Sequence, residues 1–543
     1  MTVRRFSTMT DKRTFNIIIN FLNKYKFYFL FLLIGITIFF FPMFLSGFDL
    51  MPSDGYEIKS YGYILEHSWL WLNKIEPHNS FWTLPIYEQF PNSLAFGDSL
   101  MGIIPFYWLI RIFTNSPFSA LQVLLILLCI VNYSTFYYFS KKTFNFSDLS
   151  SSISSFVFAF SLIRCFQIEN LNYFSQFLSI LAIVFLLKIK KENSRLENHK
   201  YFILFSLFLI MQFYTCFTLG FFSVFGIILT VLISFLPKLS RDKLIYFFKT
   251  FYDFILFYCL VIILSLIPLS YFFTSTETMK TIQDVVYNIH SWQIWIRNVS
   301  FLDNLFFNKM TFVAFPLYKE LSVSFGIFTT ILGIIGLFIV KKVKDIPIIL
   351  SFSIFCLSCN FIAINIWKFL YYFLFGSEKI DSVSKIAFIG LIIISLSIGF
   401  LLEYFKNNTI KTKKITNLLL VSTITLIILE HIPLTKSKIS PWSNFNWSKK
   451  EFQQEIQKQS EKIDSSCENL LFSYMPENIQ NYSKNDIKIK EHKKKILENT
   501  LGMWISLENN ITTTNGYIKI FKDFEKQADN TCKLEEKIDF DKI

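Results

Sequence analysis

Apolar residues in this chain come in long, nearly unbroken blocks separated by short polar stretches. Eleven runs of roughly 16 to 24 residues have the length a helix needs to cross a hydrocarbon layer. They fall at 27–47, 118–139, 147–164, 173–189, 201–217, 218–236, 250–273, 321–340, 346–366, 385–404 and 415–433. One further apolar segment, SLMGIIPFYWLIRIF at 99–113, contains Pro105 and ends near Arg111. At about 15 residues it is too short for a span and predicts a re-entrant or interfacial helix. From Pro433 onward the blocks stop, and about 110 polar residues follow, enough for a small domain.

The pattern predicts an all-α polytopic membrane protein of about eleven transmembrane helices with a small extracytoplasmic C-terminal domain. Its parts are a basic cytoplasmic tail at 1–26, a transmembrane domain at 27–433 and a soluble domain at 434–543. The transmembrane domain includes an external loop at 48–117.

Charge fixes the orientation. With the amino terminus inside, Lys141 and Lys142, the stretch KIKKENSRLENHK, Lys238 to Lys249, KKVK at 341–344 and KNNTIKTKK at 406–414 all lie on the cytoplasmic side. Inner segments then carry about 24 Lys or Arg in roughly 75 residues, against about 11 in roughly 150 for the outer loops before residue 386, as the positive-inside rule requires. Were 99–113 a full span, every later loop would invert. The apolar run from Phe27 to Phe48 is too long for a cleaved signal segment and is read as a retained first helix.

Composition agrees: 52% of the 543 residues are apolar and 17% charged, with mean hydropathy +0.43, too oily for one water-soluble domain. The net charge of +13 sits in clusters flanking the spans, so it argues topology rather than nucleic-acid binding. The 67 phenylalanines accompany abundant Ile, Lys, Asn and Tyr, a genomic bias, and single aromatics carry little weight.

The richest polar stretch follows the first helix and holds seven carboxylates. Asp49, Asp54 and Glu57 lie at its start, and Asp54 precedes an amphipathic run with Ile58, Tyr61, Ile64, Leu65 and Trp69 on one face. Asp54 suits either a helix cap or a general base. Glu88 and Asp98 return to the membrane at the far end, so carboxylates from both ends of the loop can converge on one external cleft. Basic groups approach the same face: Arg164 with Glu169 between the third and fourth helices, Arg297, and Lys379 and Lys385 before the tenth. Singly, such charges pair locally or snorkel; only their convergence favours binding of a lipid-linked phosphate.

The segment FYTCFTLGFF around Tyr214 and Gly220 predicts a very tight outward turn, suited to helix packing or to a substrate groove. His67, His78 and His290 have no ligand spacing, and no metal is expected. Of eight cysteines, Cys467 and Cys532 share the tail and can form a disulfide if it is exported; two unpaired thiols are the alternative. Cys356 and Cys359 lack the companions of a metal site. There is no phosphate loop, nucleophile elbow or metalloprotease helix.

The strings PSDGYEIKSYGYILEHSWLWL, FWTLPIYEQFPNSLAFGDSLMGIIPFY, FAFSLIRCFQIENLNYFSQFL, KIDSVSKIAFIG and MWISLENNITTTNGYIKI resemble corresponding segments of the GT-C superfamily of membrane glycosyltransferases, in particular its bacterial YfhO-like group. The resemblance touches most of the chain. It implies sugar transfer from a polyprenyl-phosphate donor to an envelope glycan, lipid or protein acceptor, without a cofactor, on the outer face of a bacterial inner membrane. By position, Asp54 is the implied base and Asp98 the second acid, with Arg164 and Lys385 as phosphate-side contacts. Glu57, Glu88, Glu169 and Lys379 are the remaining substrate-side candidates. Relatives often carry His where Asn170 stands and Arg where Lys385 stands, and lysine is a point charge rather than a fork.

Two other classes compete. A transporter or flippase of a lipid-linked glycan needs polar residues deep in the helices, where Asn132, Gln212 and Asn360 are the candidates. A non-catalytic envelope scaffold needs only the exported tail.

Overall fold

The computed structural model describes residues 24–52, 56–86, 92–234, 238–267, 323–339, 367, 371–372, 380, 383–407, 413–432, 449–463, 467, 469–477, 500–509, 512–513 and 531–539. The helices in chain order begin with α1 (Lys26–Phe39), α2 (Phe41–Leu45), α3 (Tyr56–Leu72), α4 (Ile104–Arg111) and α5 (Pro117–Thr143). They continue with α6 (Asp148–Ala159), α7 (Leu162–Phe166), α8 (Phe177–Lys188), α9 (Arg195–Thr215), α10 (Phe217–Ser234) and α11 (Lys238–Ser265). After these come α12 (Ile327–Ile339), α13 (Ala387–Asn407), α14 (Lys413–Glu430) and α15 (Lys449–Ser460). Strands β1 (Asn469–Glu477), β2 (Thr512–Thr513) and β3 (Thr531–Asp539) complete the set.

Five described helical segments are long and apolar enough to cross a membrane: Pro117–Thr143, Asp148–Phe166, Leu171–Lys188, Leu244–Ser265 and Val383–Asn407. Shorter apolar helices stand at Lys26–Phe39, Phe217–Ile233, Ile327–Ile339 and Asn417–Glu430. This is the architecture of a membrane-embedded helical protein, because only a helix satisfies its own backbone in hydrocarbon. The apolar run expected at 346–366 lies outside the described residues. Segment 99–113 yields only the eight-residue α4, about 12 Å long at 1.5 Å per residue, far short of a bilayer.

Local sequence sets where the helices begin. Ser116 caps α5 by accepting from the Ser119 N–H, with Pro117 at its first position, where a missing N–H costs nothing. Ser194 and Glu197 form a reciprocal capping box at the start of α9. Only Cys216 separates α9 from α10, the tight turn the sequence predicts. Gly220 there packs against Phe213, whose ring a Cβ would meet at 2.7 Å, so helix packing accounts for it.

Three other helices take their caps from distant carboxylates, which complement the positive end of a helix. Asp98 Oδ1 accepts from the Phe217 N–H at the start of α10. Glu430, at the end of α14, accepts from the Phe328 and Thr329 N–H groups and the Thr329 hydroxyl at the start of α12. Asp49 accepts from the Lys449 N–H through its carbonyl and from the Lys450 N–H through its carboxylate.

This last cap ties the C-terminal region to the loop that follows the first helices. Lys449 Nζ donates to Ser119 Oγ at the start of α5, and Trp504 lies 4.4 Å from Phe118 between ring centroids. The Trp504 indole donates to the Lys59 carbonyl of α3, beside Gly62, where a Cβ would stand 3.3 Å from the indole. Strand β1 pairs in parallel with β2 and β3, and a bridge from Ile86 to Thr513 joins the loop to that sheet. Buried side chains of loop, bundle and tail form one apolar cluster, including Ile58, Leu84, Leu121, Phe452, Leu470 and Trp504. Cys467 is disulfide-bonded, and Cys532 stands in register with Leu470, three residues along from it.

Candidate functional site

The loop, the α9–α10 turn and the starts of α8 and α13 meet at one end of the bundle, and their polar side chains converge there. The closing segment of the loop is stitched to the turn: Ser99 Oγ donates to the Tyr214 carbonyl, and the Gly102 N–H donates to Thr215 Oγ1 at 2.7 Å. Asp98 is thereby held with both carboxylate oxygens engaged, Oδ1 by the Phe217 N–H at 2.8 Å and Oδ2 by the Asn172 amide.

Asn172 and Tyr173 belong to a 3-10 turn, Leu171–Gln176, that leads into α8. The Tyr173 ring stacks on Phe388 at 5.1 Å, and Lys385 Nζ lies 4.7 Å above that ring. Lys385 is buried and donates to Gln167 Oε1, which also accepts from the Asn170 amide at 3.1 Å. Two adjacent residues thus support an acid on one side and a base on the other. Glu169, also buried, lies two residues before that 3-10 turn.

From the loop side, Glu57 lies in the first turn of α3 and Tyr61 follows four residues later, on the same helix face. Burial pushes the Tyr61 hydroxyl well above its ordinary range, with the negative charges of Asp98 and then Glu57 adding to it. Tyr61 therefore stays protonated in the field of these two carboxylates.

Arg164 occupies a different place. It is buried inside the bundle, with its guanidinium against the Phe158 ring. Its nitrogens donate to the Phe158 carbonyl at 2.9 Å, the Tyr173 carbonyl at 3.1 Å and Gln176 Oε1 at 2.6 Å. Gln176 in turn donates to the Phe388 carbonyl. Arg164 thus braces the turn that carries Asn172 and Tyr173 against the start of α13, which follows directly on the 3-10 turn Val383–Ile386 that carries Lys385.

Of the residues singled out from sequence, Glu57, Asp98, Glu169 and Lys385 come to this end of the bundle, and Arg164 supports it from within. Asp54, Glu88, Arg297 and Lys379 lie outside the described residues. Sequence reasoning missed Tyr61, Gln167, Asn172 and Tyr173. Tyr61 carries no signal beyond its place on an amphipathic face, and Asn172 and Tyr173 are unremarkable until folding sets them between Asp98 and Lys385. It also missed the pairing of His67 and His78, both buried, whose Nδ1 atoms lie 2.7 Å apart.

The polar residues inside the helices are engaged in packing. Asn132 donates to the Leu128 and Phe174 carbonyls, and Gln212 bridges Ser175 and Ser179. Asn360 lies outside the described residues. Among the described residues, no three His, Cys, Asp or Glu side chains cluster closely enough to hold a metal ion. Compared with known proteins, the chain matches no family model and no curated protein.

Proposed function

We propose that this protein is a GT-C-type membrane glycosyltransferase that moves a sugar from a polyprenyl-phosphate donor to an envelope glycan, lipid or protein acceptor at the outer face of a bacterial inner membrane. In this reading all eleven apolar runs cross the bilayer, the amino terminus is cytoplasmic, and the 434–543 domain is outside, closed by a Cys467–Cys532 disulfide. The observation that carries the proposal is the junction at Asn172 and Tyr173. These adjacent residues touch a fixed carboxylate, Asp98, through Asn172 and a buried ammonium, Lys385, through Tyr173.

The chemistry follows from those groups. An acceptor hydroxyl loses its proton to the Asp54 carboxylate as its oxygen forms a bond to the anomeric carbon. The bond from that carbon to the donor phosphate oxygen breaks, and the electron pair leaves on polyprenyl phosphate. Lys385 stabilises the charge gathering on the phosphate, helped by the helix starts that meet there. Asp98, already oriented by two donors, accepts from the acceptor and fixes its approach, with Tyr61 as a neutral donor beside it. Glu57 and Glu169, together with Glu88 and Lys379, border the substrate. Arg164 acts through the turn it braces rather than on the phosphate.

Transfer from a radiolabelled polyprenyl-phosphate sugar in membranes tests this. Asp54→Asn should abolish transfer while leaving expression and folding intact; undiminished transfer removes Asp54 from the mechanism. Gln212, engaged at both its amide nitrogen and its oxygen, supports this reading over a transporter, which needs polar groups available along a path through the helices.

A further inference from the structure

The surface of α4 and the end of α3 have properties that neither the bundle nor the proposed site explains. Helix α4 and the two residues that follow it leave Leu109 55%, Ile112 63% and Phe113 81% exposed. Leu72 and Ile75, at and just beyond the end of α3, are exposed as well. The two groups form one surface, because Trp71 of α3 stacks on Trp108 of α4 at 6.4 Å, and the Trp108 indole donates to Ser68 Oγ of α3.

The α4 side of this surface carries no unpaired cation, and the exposed Lys74 and Glu76 beside Ile75 stand at its margin, where long charged side chains reach the headgroups. Arg111, the one cation of α4, is withdrawn into a two-point ion pair with Glu66: Nη2 to Oε1 at 2.9 Å and Nε to Oε2 at 3.0 Å. Tyr107 donates to the same carboxylate. The His67–His78 contact and the bond from His67 Nε2 to the Phe81 carbonyl hold the chain after α3 against it.

We infer that this face, made by Leu72, Ile75, Leu109, Ile112 and Phe113 with Trp71 and Trp108 at its border, inserts into the lipid monolayer nearest the loop. Chain length fixes the occupant. Phe113 precedes Pro117, the first residue of the candidate span α5, by four residues, so it lies within about 14 Å of the start of that helix. A surface at that depth continues the lipid-facing side of α5, where Val123 is likewise exposed. Tryptophans at the margin of such a surface sit where indole is favoured, at headgroup level. An eight-residue helix with an apolar outer side and a neutralised arginine matches an interfacial wedge rather than a span. The inference requires only that the chain is membrane-embedded and does not depend on glycosyl transfer.

The test uses the full chain in membranes, with benzoylphenylalanine placed at position 113 and, separately, at 109. Irradiation should yield a phospholipid adduct at both, as at Val123 on α5 and unlike Asn79, which is exposed elsewhere in the loop. Cross-linking to a second copy or another protein, or a result indistinguishable from Asn79, overturns the inference. A second variant, Ile112→Asp with Phe113→Asp, alters only exposed side chains; it should cut the lipid adduct at 109 several-fold, and an unchanged yield counts against insertion.

Discussion

Asp98 accepts a 2.8 Å hydrogen bond from the backbone N–H of Phe217, so an acid from the far end of the loop caps a helix that begins 119 residues later. Asn retains an oxygen that can accept that bond, and Ala does not. Asp98→Ala should therefore lower stability by about 1–2 kcal/mol, within the range for a lost cap, and Asp98→Asn by less. Thermal unfolding in detergent distinguishes them; equal losses would show that the cap is not what Asp98 contributes.

Lys385 provides the test of the phosphate half of the site. Lys385→Met keeps the stem over Tyr173 and removes the charge. It should weaken binding of polyprenyl phosphate about tenfold or more, equivalent to about 1.4 kcal/mol, as measured by native mass spectrometry. Unchanged affinity would exclude Lys385 as the phosphate contact.

Arg164 should behave as a brace. Arg164→Met leaves the Phe158 and Tyr173 carbonyls and Gln176 Oε1 each short of a charged donor, at a cost of about 3 kcal/mol or more. Arg164→Lys, with a point charge in place of a fork, should recover only part of this. An Arg164→Met protein that melts with the wild type would mean that these bonds contribute nothing to folding.

The His67–His78 pair makes stability depend on pH. A carbonyl only accepts, so His67 Nε2 donates to Phe81, which leaves His67 Nδ1 to accept from His78 Nδ1–H in the neutral pair. Burial lowers His67 to about 4. Burial, with His67 beside it, lowers His78 to about 3. Both folded values lie below the unfolded value of about 6.5. The contribution is therefore complete above about pH 6.5, declines as the pH falls towards the folded values, and levels off below about pH 3. At pH 5 the loss is about 2 kcal/mol per ring. Melting temperatures from pH 7.5 to 4.5 should fall accordingly, and a His67→Gln, His78→Gln variant should flatten that slope.

Trp504 fastens the tail to the loop by filling the space between Phe118, Gly62 and the Lys59 carbonyl. Trp504→Ala should cost about 3–5 kcal/mol and make the α3 segment more susceptible to limited proteolysis. Unaltered cleavage of α3 would show that the tail does not hold it.

Much of the architecture is legible in the sequence because hydrocarbon forces each span to be a continuous apolar helix. The short α4 is readable from the brevity of its apolar run, and the α9–α10 turn because the abutting runs 201–217 and 218–236 are together too long for one span. Charged residues are sparse enough in such a chain that Glu57, Asp98, Glu169 and Lys385 stand out. Arg164 stands out equally, yet it braces the bundle from inside, because burial and three acceptors, not its charge, determine what it does.

The sequence by itself determined the membrane class, the placing of the apolar helices and the polar loop as the region to search for chemistry. Only the tertiary structure decided that Asn172 and Tyr173 stand between Asp98 and Lys385, that Asp49, Asp98 and Glu430 cap helices far from them in sequence, and that His67 meets His78. Hydropathy acts on each segment by itself, through transfer from water to lipid. A cap or an ion's neighbour depends on which segments pack together, and that depends on side-chain shape across the whole bundle.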